Sequence, residues 1–314
     1  MRAATIVDGE LHVEEHPNPA PGTGELLVRV RAAGVNGGDV HQVRGRYPAP
    51  PGWPQDIPGM ELAGEVAALG PGALRFSEGD RVMTIVGGGG QAELATVHER
   101  YAMPVPEALD WPAAGGFAEV FMTAYDALFT QAGLASGEHL LVHGGAGGVG
   151  TAAVQLGRAV GARVTATVRS EDLRPAVEEL GATAIAPEGF ETHGPFDLVL
   201  ELVGAPNLEA NLGALATGGR IVVIGIGAGA KGALNLGVLM GLRGRIQGST
   251  LRARPLEEKA MVARAVERHV LPLVESRAVK VPVCDTFPLD EVAAAYERFQ
   301  AGGKLGKVVL LLGG

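Results

Sequence analysis

A chain of 314 residues is long enough for two domains, each with a core of its own. With 46% hydrophobic and 19% charged residues it has the make-up of a folded globular protein rather than a disordered one. A net charge of −9 and only 4% aromatic residues argue against a phosphate-tracking or base-stacking surface, so no nucleic-acid partner is expected.

The N-terminus turns acidic at Asp8 and Glu10 before any apolar stretch of signal length, and no uncharged run approaches a membrane span. A cytoplasmic location without a membrane partner is the expectation. Residues 1 to about 110 read as short strands, Thr5–Val7, Leu11–Glu14, Glu25–Ala33, Gly64–Leu69, Asp80–Val86 and Ala92–Val97, punctuated by Pro and Gly turns. Many short strands without a long helix suggest a barrel or sandwich. The run Gly87–Gly90 reads as a flexible loop between two of them.

From about Pro112 the texture changes. Ala113–Thr130 reads as a helix, and strands then alternate with helices: Leu140–His143, Val164–Val168, Ala184–Ala186, Leu198–Leu202 and Ile221–Ile224. This alternation predicts a parallel sheet covered on both faces. Ile246–Leu251 extends it as a sixth strand whose partner is expected across a subunit boundary. Pro255–Glu275 reads as helix, Asp290 as the cap of another, and Lys307–Leu312 as a last strand. Cys284 is the only cysteine, which leaves neither an intramolecular disulfide nor a cysteine-rich zinc site.

The chemistry concentrates after Leu140–Val142, in Gly145-Ala146-Gly147-Gly148-Val149-Gly150. Strand, glycine turn, helix and second strand follow one another, the context that turns a G-x-G-x-x-G spacing into a dinucleotide site. Gly145 is expected to permit the tight turn, Gly147 to let a pyrophosphate approach the backbone, and Gly150 to let helix and strand pack closely. Helix-start N–H groups would hold the phosphates. At the end of the second strand, where a carboxylate commonly takes a ribose hydroxyl, stand Arg169 and Ser170, with Arg174 one turn on. A guanidinium grips a 2′-phosphate, so the expected cofactor is NADP(H). Glu171 and Asp172 leave open the alternative of a ribose contact beside a solvated arginine. A second glycine-rich turn begins at Gly225-Ile226, at the carboxyl end of a strand, where ligands of such sheets sit.

Taken together the chain resembles, over nearly its whole length, the quinone oxidoreductase branch of the zinc-free medium-chain dehydrogenase/reductase family, the relatives of ζ-crystallin. The resemblance lies in Gly137-Glu138 through Gly150 to Gln155 and Arg158, with Gly145 where Ser or Ala is usual. It lies also in Asn36-Gly-Gly-Asp39, Arg44-Gly-Arg-Tyr47-Pro, Pro58-Gly-Met-Glu61, Glu119-x-x-x-Thr123-Ala-Tyr-Asp126 and Gly303-Lys304-Leu-Gly306-Lys307. It implies an α/β plus β architecture, a GroES-like catalytic barrel (1–112 and 253–314) with an inserted Rossmann doubly wound parallel sheet (113–252) and an active cleft at the junction.

Further implications concern the site. Asn36 and Met60 stand where zinc-dependent members carry Cys and His, and neither is a useful zinc ligand. The expected activity is NADPH-dependent reduction of a small-molecule quinone or enone by hydride transfer without a metal. Tyr47 and Asn36 are the catalytic candidates, as donors to a developing oxyanion. Asn36 as a turn cap and Tyr47 as a rim residue are the plain structural alternatives. Thr123 is expected to orient the cofactor, and Val203, Gly204, Gly225 and Ile226 to line the nicotinamide. Asp39 and Glu61 read as general acids or a buried structural pair, His143 as a packed strand-end residue, Lys304 and Lys307 as phosphate contacts or solvated lysines. An alkenal or enone double-bond reductase and a cofactor-binding regulatory protein are the alternative functions, and a homodimer through the edge of the inserted sheet is expected.

Overall fold

Between Leu26 and Arg31 the fully buried side chains are Leu26, Val28 and Val30, while Arg29 reaches solvent, the two-residue period of a strand with one face on a core. The computed structural model describes residues 1–313. Its strands are β1 (Arg2–Val7), β2 (Glu10–Glu15), β3 (Glu25–Val35), β4 (Glu61–Leu69), β5 (Arg81–Ile85), β6 (Leu94–His98), β7 (Met103–Pro104), β8 (His139–Val142), β9 (Arg163–Thr167), β10 (Thr183–Ile185), β11 (Phe196–Glu201), β12 (Leu215–Val223), β13 (Arg245–Gly248), β14 (Val283–Pro288) and β15 (Lys307–Leu311). Its α-helices are α1 (Gly37–Val43), α2 (Trp111–Gly115), α3 (Ala118–Tyr125), α4 (Gly148–Ala159), α5 (Arg174–Glu179), α6 (Leu208–Gly213), α7 (Leu236–Leu242), α8 (Leu256–His269), α9 (Leu271–Glu275) and α10 (Val292–Ala301). They form two compact units. One comprises Met1–Met122, Leu251–Gly302 and the residues from Lys307 on; the other comprises Thr123–Thr250 with Gly303–Gly306.

In the first unit the sheet order is β14-β15-β3-β4-β5-β7, with β6 also paired to β3. β15 runs antiparallel to β3, Val308 opposite Val35, so the C-terminal strand completes the N-terminal sheet. Leu26, Val28, Val30, Leu62, Val66, Val82, Val308 and Leu310 make its core. Gly87–Gly90 is not a flexible loop: all four residues are buried, and a Cβ on Gly87 would stand 2.5 Å from the Trp53 ring. The run of glycines there allows close approach. The expected helix Ala113–Thr130 is broken between α2 and α3 and ends in a π-helical turn, Asp126–Gln131. A Cβ on Gly115 would lie 2.5 Å from that of Ala32, so α2 packs directly on β3 and the first unit extends to Met122. Pro255–Glu275 likewise divides into α8 and α9 at Val270, because Pro272 in the first turn of α9 has no N–H to continue the ladder. Asp290 caps nothing; its carboxylate takes the Arg2 guanidinium, and α10 starts at Val292 after a 3₁₀ turn.

In the second unit the sheet is wholly parallel, in the order β10-β9-β8-β11-β12-β13, which by appearance in the chain is 3-2-1-4-5-6. Leu140, Leu141 and Val142 are fully buried between β9 and β11, as a central strand covered on both faces requires. Leu141, Phe190, Phe196, Val199, Leu215 and Ile221 cluster around it. β13 pairs with β12 of the same chain, Ile246 opposite Ile221, so it has a partner within the chain and forms the edge of the sheet. The strand order reverses between β8 and β11, and the crevice at the carboxyl ends of such neighbours is where doubly wound sheets take their ligands.

Candidate active site

The second unit places a glycine turn at that reversal. Gly144, with φ +67°, is the left-handed residue of the turn. Gly145 serves packing instead: a Cβ there would be 2.7 Å from that of Ala166, so a side chain at this position would collide with β9. Gly150 lets α4 close on the turn itself, since its Cβ would lie 2.2 Å from the Gly144 carbonyl oxygen. A Cβ on Gly147 would meet only that oxygen, at 3.4 Å, which leaves the turn open on its outer side. No side chain caps α4 and no acid stands in its first turn. The N–H groups of Gly148, Val149 and Gly150, which have no intrahelical acceptor, remain available to an anion. These residues fit a dinucleotide pyrophosphate. Ala146 accepts the Gly306 N–H at 2.8 Å, so Gly303–Gly306 returns to the turn.

Beyond β9, Arg169 is exposed and makes no hydrogen bond or ion pair among the described residues. Ser170 beside it is half-buried. Arg174 is partly engaged, its Nε on the Val168 carbonyl at 3.4 Å and its Nη1 3.7 Å from Glu171. The free guanidinium at the place where a ribose phosphate is sought is therefore Arg169.

A buried network, which the sequence did not reveal, holds the two ligand loops. Glu201 at the end of β11 accepts the N–H groups of Val203 (2.6 Å) and Gly204 (2.8 Å) on one oxygen and the Asn211 amide (2.7 Å) on the other. The Asn211 carbonyl oxygen lies 2.7 Å from His143 Nε2, and His143 Nδ1 lies 3.1 Å from the Thr167 hydroxyl. Burial pushes His143 below the usual histidine range. The neutral ring thus donates from Nε2 to Asn211 and accepts from Thr167, whose oxygen takes the Gly144 N–H at 3.2 Å. Gly225 abuts Leu202, whose carbonyl oxygen a Cβ would approach to 2.2 Å, and Gly204, at φ +130°, faces the Gly229 carbonyl. Ile226 beside them is 55% exposed. Thr123 is buried on α3.

The first unit gathers a separate set of groups. Lys307 opens β15, Glu61 opens β4, and Asn36 ends β3 as the N-cap of α1. The Lys307 ammonium lies 2.7 Å from Glu61 Oε1 and 2.6 Å from the Asn36 carbonyl oxygen, while the Asn36 amide donates to Glu61 Oε1 at 3.0 Å. Lys307 is therefore not a solvated lysine, and the Asn36 side chain is taken up by its neighbours at both ends. Glu61 Oε2 accepts the Glu119 N–H at 2.8 Å. Burial, and next the charge of Glu61, raise the Glu119 carboxyl to about 8, with Lys307 opposing. Asp39 accepts the N–H groups of Asn36 (2.9 Å) and Gly59 (3.1 Å); burial nevertheless lifts it to about 6. Burial thus favours the neutral form of Glu119 next to the Lys307–Glu61 contact.

Tyr47 is half-buried at the end of the turn after α1. Arg252, 3% exposed, donates to the carbonyls of Gly87 (2.7 Å) and Tyr47 (3.0 Å) and to Gln42, and its guanidinium carbon sits 4.9 Å from the Tyr47 ring centroid. The ring is thereby held in place while its hydroxyl has no partner among the described residues. Burial, then the charge of Glu119, push the phenol above its usual range, so it stays protonated and able to donate. Met60 is buried against Gly38, and among the described residues no three His, Cys, Asp or Glu side chains group as metal ligands. Glu119 and Arg252 were missed from sequence; the spacing Glu119-x-x-x-Thr123 was the available signal for the first, and nothing local marks the second.

Residues 22–107 match the family description "Alcohol dehydrogenase GroES-like domain", and residues 148–267 match "Zinc-binding dehydrogenase". Human quinone oxidoreductase is 32% identical, over 94% of this chain and 91% of its own. An alcohol dehydrogenase superfamily protein from Novosphingobium aromaticivorans superposes with a TM-score of 0.87 at 29% identity, covering 100% of both chains. A mycobacterial protein solved in complex with NADPH superposes with a TM-score of 0.88 at 26% identity over 99% of each chain.

Proposed function

Because this chain belongs to the medium-chain dehydrogenase/reductase family, as a relative of its quinone oxidoreductases, we propose that it is an NADPH-dependent quinone reductase acting without zinc. The first-turn N–H groups of α4 would hold the pyrophosphate, Arg169 and Ser170 the 2′-phosphate, and the loops at Val203-Gly204 and Gly225-Ile226 the nicotinamide, with Thr123 orienting the cofactor. Bound NADPH supplies the hydride. The observation that supports this reading best is the pairing of Asn36 with Lys307 and Glu61, which leaves the Tyr47 hydroxyl as the unpartnered hydroxyl of that cluster. One hydrogen-bond donor and no Lewis acid suit an acceptor whose own delocalisation lowers the barrier, and a quinone is such an acceptor. In this reading Asn36 organises the charged cluster, Tyr47 donates to the developing oxyanion, and Glu119 is the proton reserve.

The test is NADPH oxidation with 1,4-naphthoquinone and with a medium-chain 2-alkenal. Turnover with the quinone is expected. Turnover with the alkenal alone would replace the assignment by a double-bond reductase, and NADPH binding without turnover on either would leave a cofactor-binding protein. No helix of the described residues is long and apolar enough to cross a membrane. A homodimer is proposed as well: β13 ends its sheet, and Leu236, Val238 and Met240 of the neighbouring α7 are exposed.

A further inference from the structure

Glu201 ends β11 with its side chain 4% exposed, and a carboxylate so placed needs donors where water was. Its Oε1 accepts the N–H groups of Val203 at 2.6 Å and Gly204 at 2.8 Å, and its Oε2 accepts the amides of Asn211 at 2.7 Å and Asn207 at 3.1 Å. The main-chain carbonyl of the same residue accepts the N–H groups of Ile224 at 2.9 Å and Gly225 at 3.1 Å. One residue thus ties the loop after β11 to the loop after β12.

The carboxylate also sets a direction. It can only accept, so Asn211 turns its NH2 toward Glu201 and its carbonyl oxygen toward His143 Nε2, 2.7 Å away. That oxygen requires the ring proton on Nε2. Burial draws His143 below the usual histidine range, so the ring is neutral and Nδ1 is left as the acceptor of the Thr167 hydroxyl at 3.1 Å. The Thr167 oxygen in turn accepts the N–H of Gly144, the left-handed residue of the glycine turn. Every link from Gly144 to Glu201 donates the same way.

We propose that Glu201 is a positioning residue for the nicotinamide half of the cofactor, holding both loops that line the ring and fixing the polarity of the chain that joins them to the glycine turn. The positioning role rests on the proposed dinucleotide site; the polarity of the chain does not. Glu201→Gln keeps the shape of the side chain but turns one acceptor into a donor. The N–H groups of Val203 and Gly204 cannot reverse, so the new NH2 must face Asn207 and Asn211. Asn211 then has to present its oxygen to it and its NH2 to His143, which moves the ring proton to Nδ1. The Thr167 oxygen can accept from both that proton and Gly144, so the glycine turn keeps its anchor.

Two measurements on the full chain test this. In ¹⁵N-histidine NMR, with His143 assigned through its contact with the Phe190 ring at 4.6 Å, the native ring should be the Nε2–H tautomer and the Glu201→Gln ring the Nδ1–H tautomer. In calorimetric titrations, Glu201→Gln should weaken NADPH by about tenfold and adenosine 2′,5′-bisphosphate, the half without nicotinamide, by no more than about twofold. Should Glu201→Gln fail to fold by circular dichroism, Asn207→Ala carries the titration, with NADPH weakened about threefold and the bisphosphate unchanged. An Nδ1–H ring in the native chain, an unchanged tautomer in the variant, or losses that are equal for the two nucleotides or absent for both overturn the proposal alone. A native chain that binds neither nucleotide overturns the dinucleotide reading, and the positioning role with it.

Discussion

The Lys307 ammonium and the Glu61 carboxylate meet at 2.7 Å with their side chains 3% and 0% exposed, so each is the other's replacement for water. A buried pair of this kind contributes little net stability, but removing one partner strands the other charge. Lys307→Met should therefore lower the unfolding free energy by about 3–5 kcal/mol, and adding Glu61→Gln should recover part of the loss. Urea unfolding of the two variants checks this; an additive loss in the double variant would contradict the pairing.

Burial, and next the charge of Glu61, raise the Glu119 carboxyl from its ordinary 4.5 to about 8 in the folded state. Between those values the folded state binds more protons than the unfolded one, so stability falls as pH rises through the window. Asp39, raised from 3.8 to about 6, acts in the same direction over its lower part. Glu119→Gln should flatten the decline and be the more stable protein near pH 8, by on the order of 2–3 kcal/mol. Unfolding midpoints taken at both ends of the window would reveal a parallel decline if Glu119 were an ordinary carboxylate.

Arg169 is the unpaired cation after β9. Arg169→Asp is expected to reduce the ratio of kcat/KM for NADPH over NADH by about 10–100-fold, the effect of exchanging a charge-assisted contact for repulsion. A ratio unmoved by the exchange would reassign the 2′-phosphate contact.

Tyr47→Phe removes the one unpartnered hydroxyl of the first unit's cluster but keeps the ring under Arg252. A fall in kcat of about 10–100-fold, with NADPH affinity unchanged by fluorescence titration, is the expected split. Unaltered kcat would reduce Tyr47 to a wall residue.

Met240 is 77% exposed on α7, close in sequence to the edge strand β13. Sedimentation velocity at micromolar concentration should show a dimer for the native chain and a monomer for Met240→Glu, since a charge opposes burial of that face. A monomeric native chain would remove the proposed assembly.

Much of this was legible in the chain because it depends on local pattern. The apolar runs at Leu140–His143 and Leu198–Leu202, the glycines between strand and helix, and the arginine after β9 all declare themselves within a few residues. Where local pattern misled, a distant neighbour was responsible. Gly87–Gly90 reads as slack chain until Trp53 is seen filling the space, and Asp290 reads as a cap until Arg2 claims it.

By itself, then, the sequence determined the alternation that makes the inserted parallel sheet, the place of the glycine turn between β8 and α4, and the absence of cysteine and histidine at Asn36 and Met60. Only the tertiary structure decided what state the buried groups are in. Lys307 is paired because β15 returns beside β3 and the start of β4, whereas Lys259 is unpaired because α8 sets it against two aromatic rings. Charge and proton affinity inside a protein depend on which groups are brought within a few ångströms after water has left, and that is a property of the assembled fold and not of any stretch of chain.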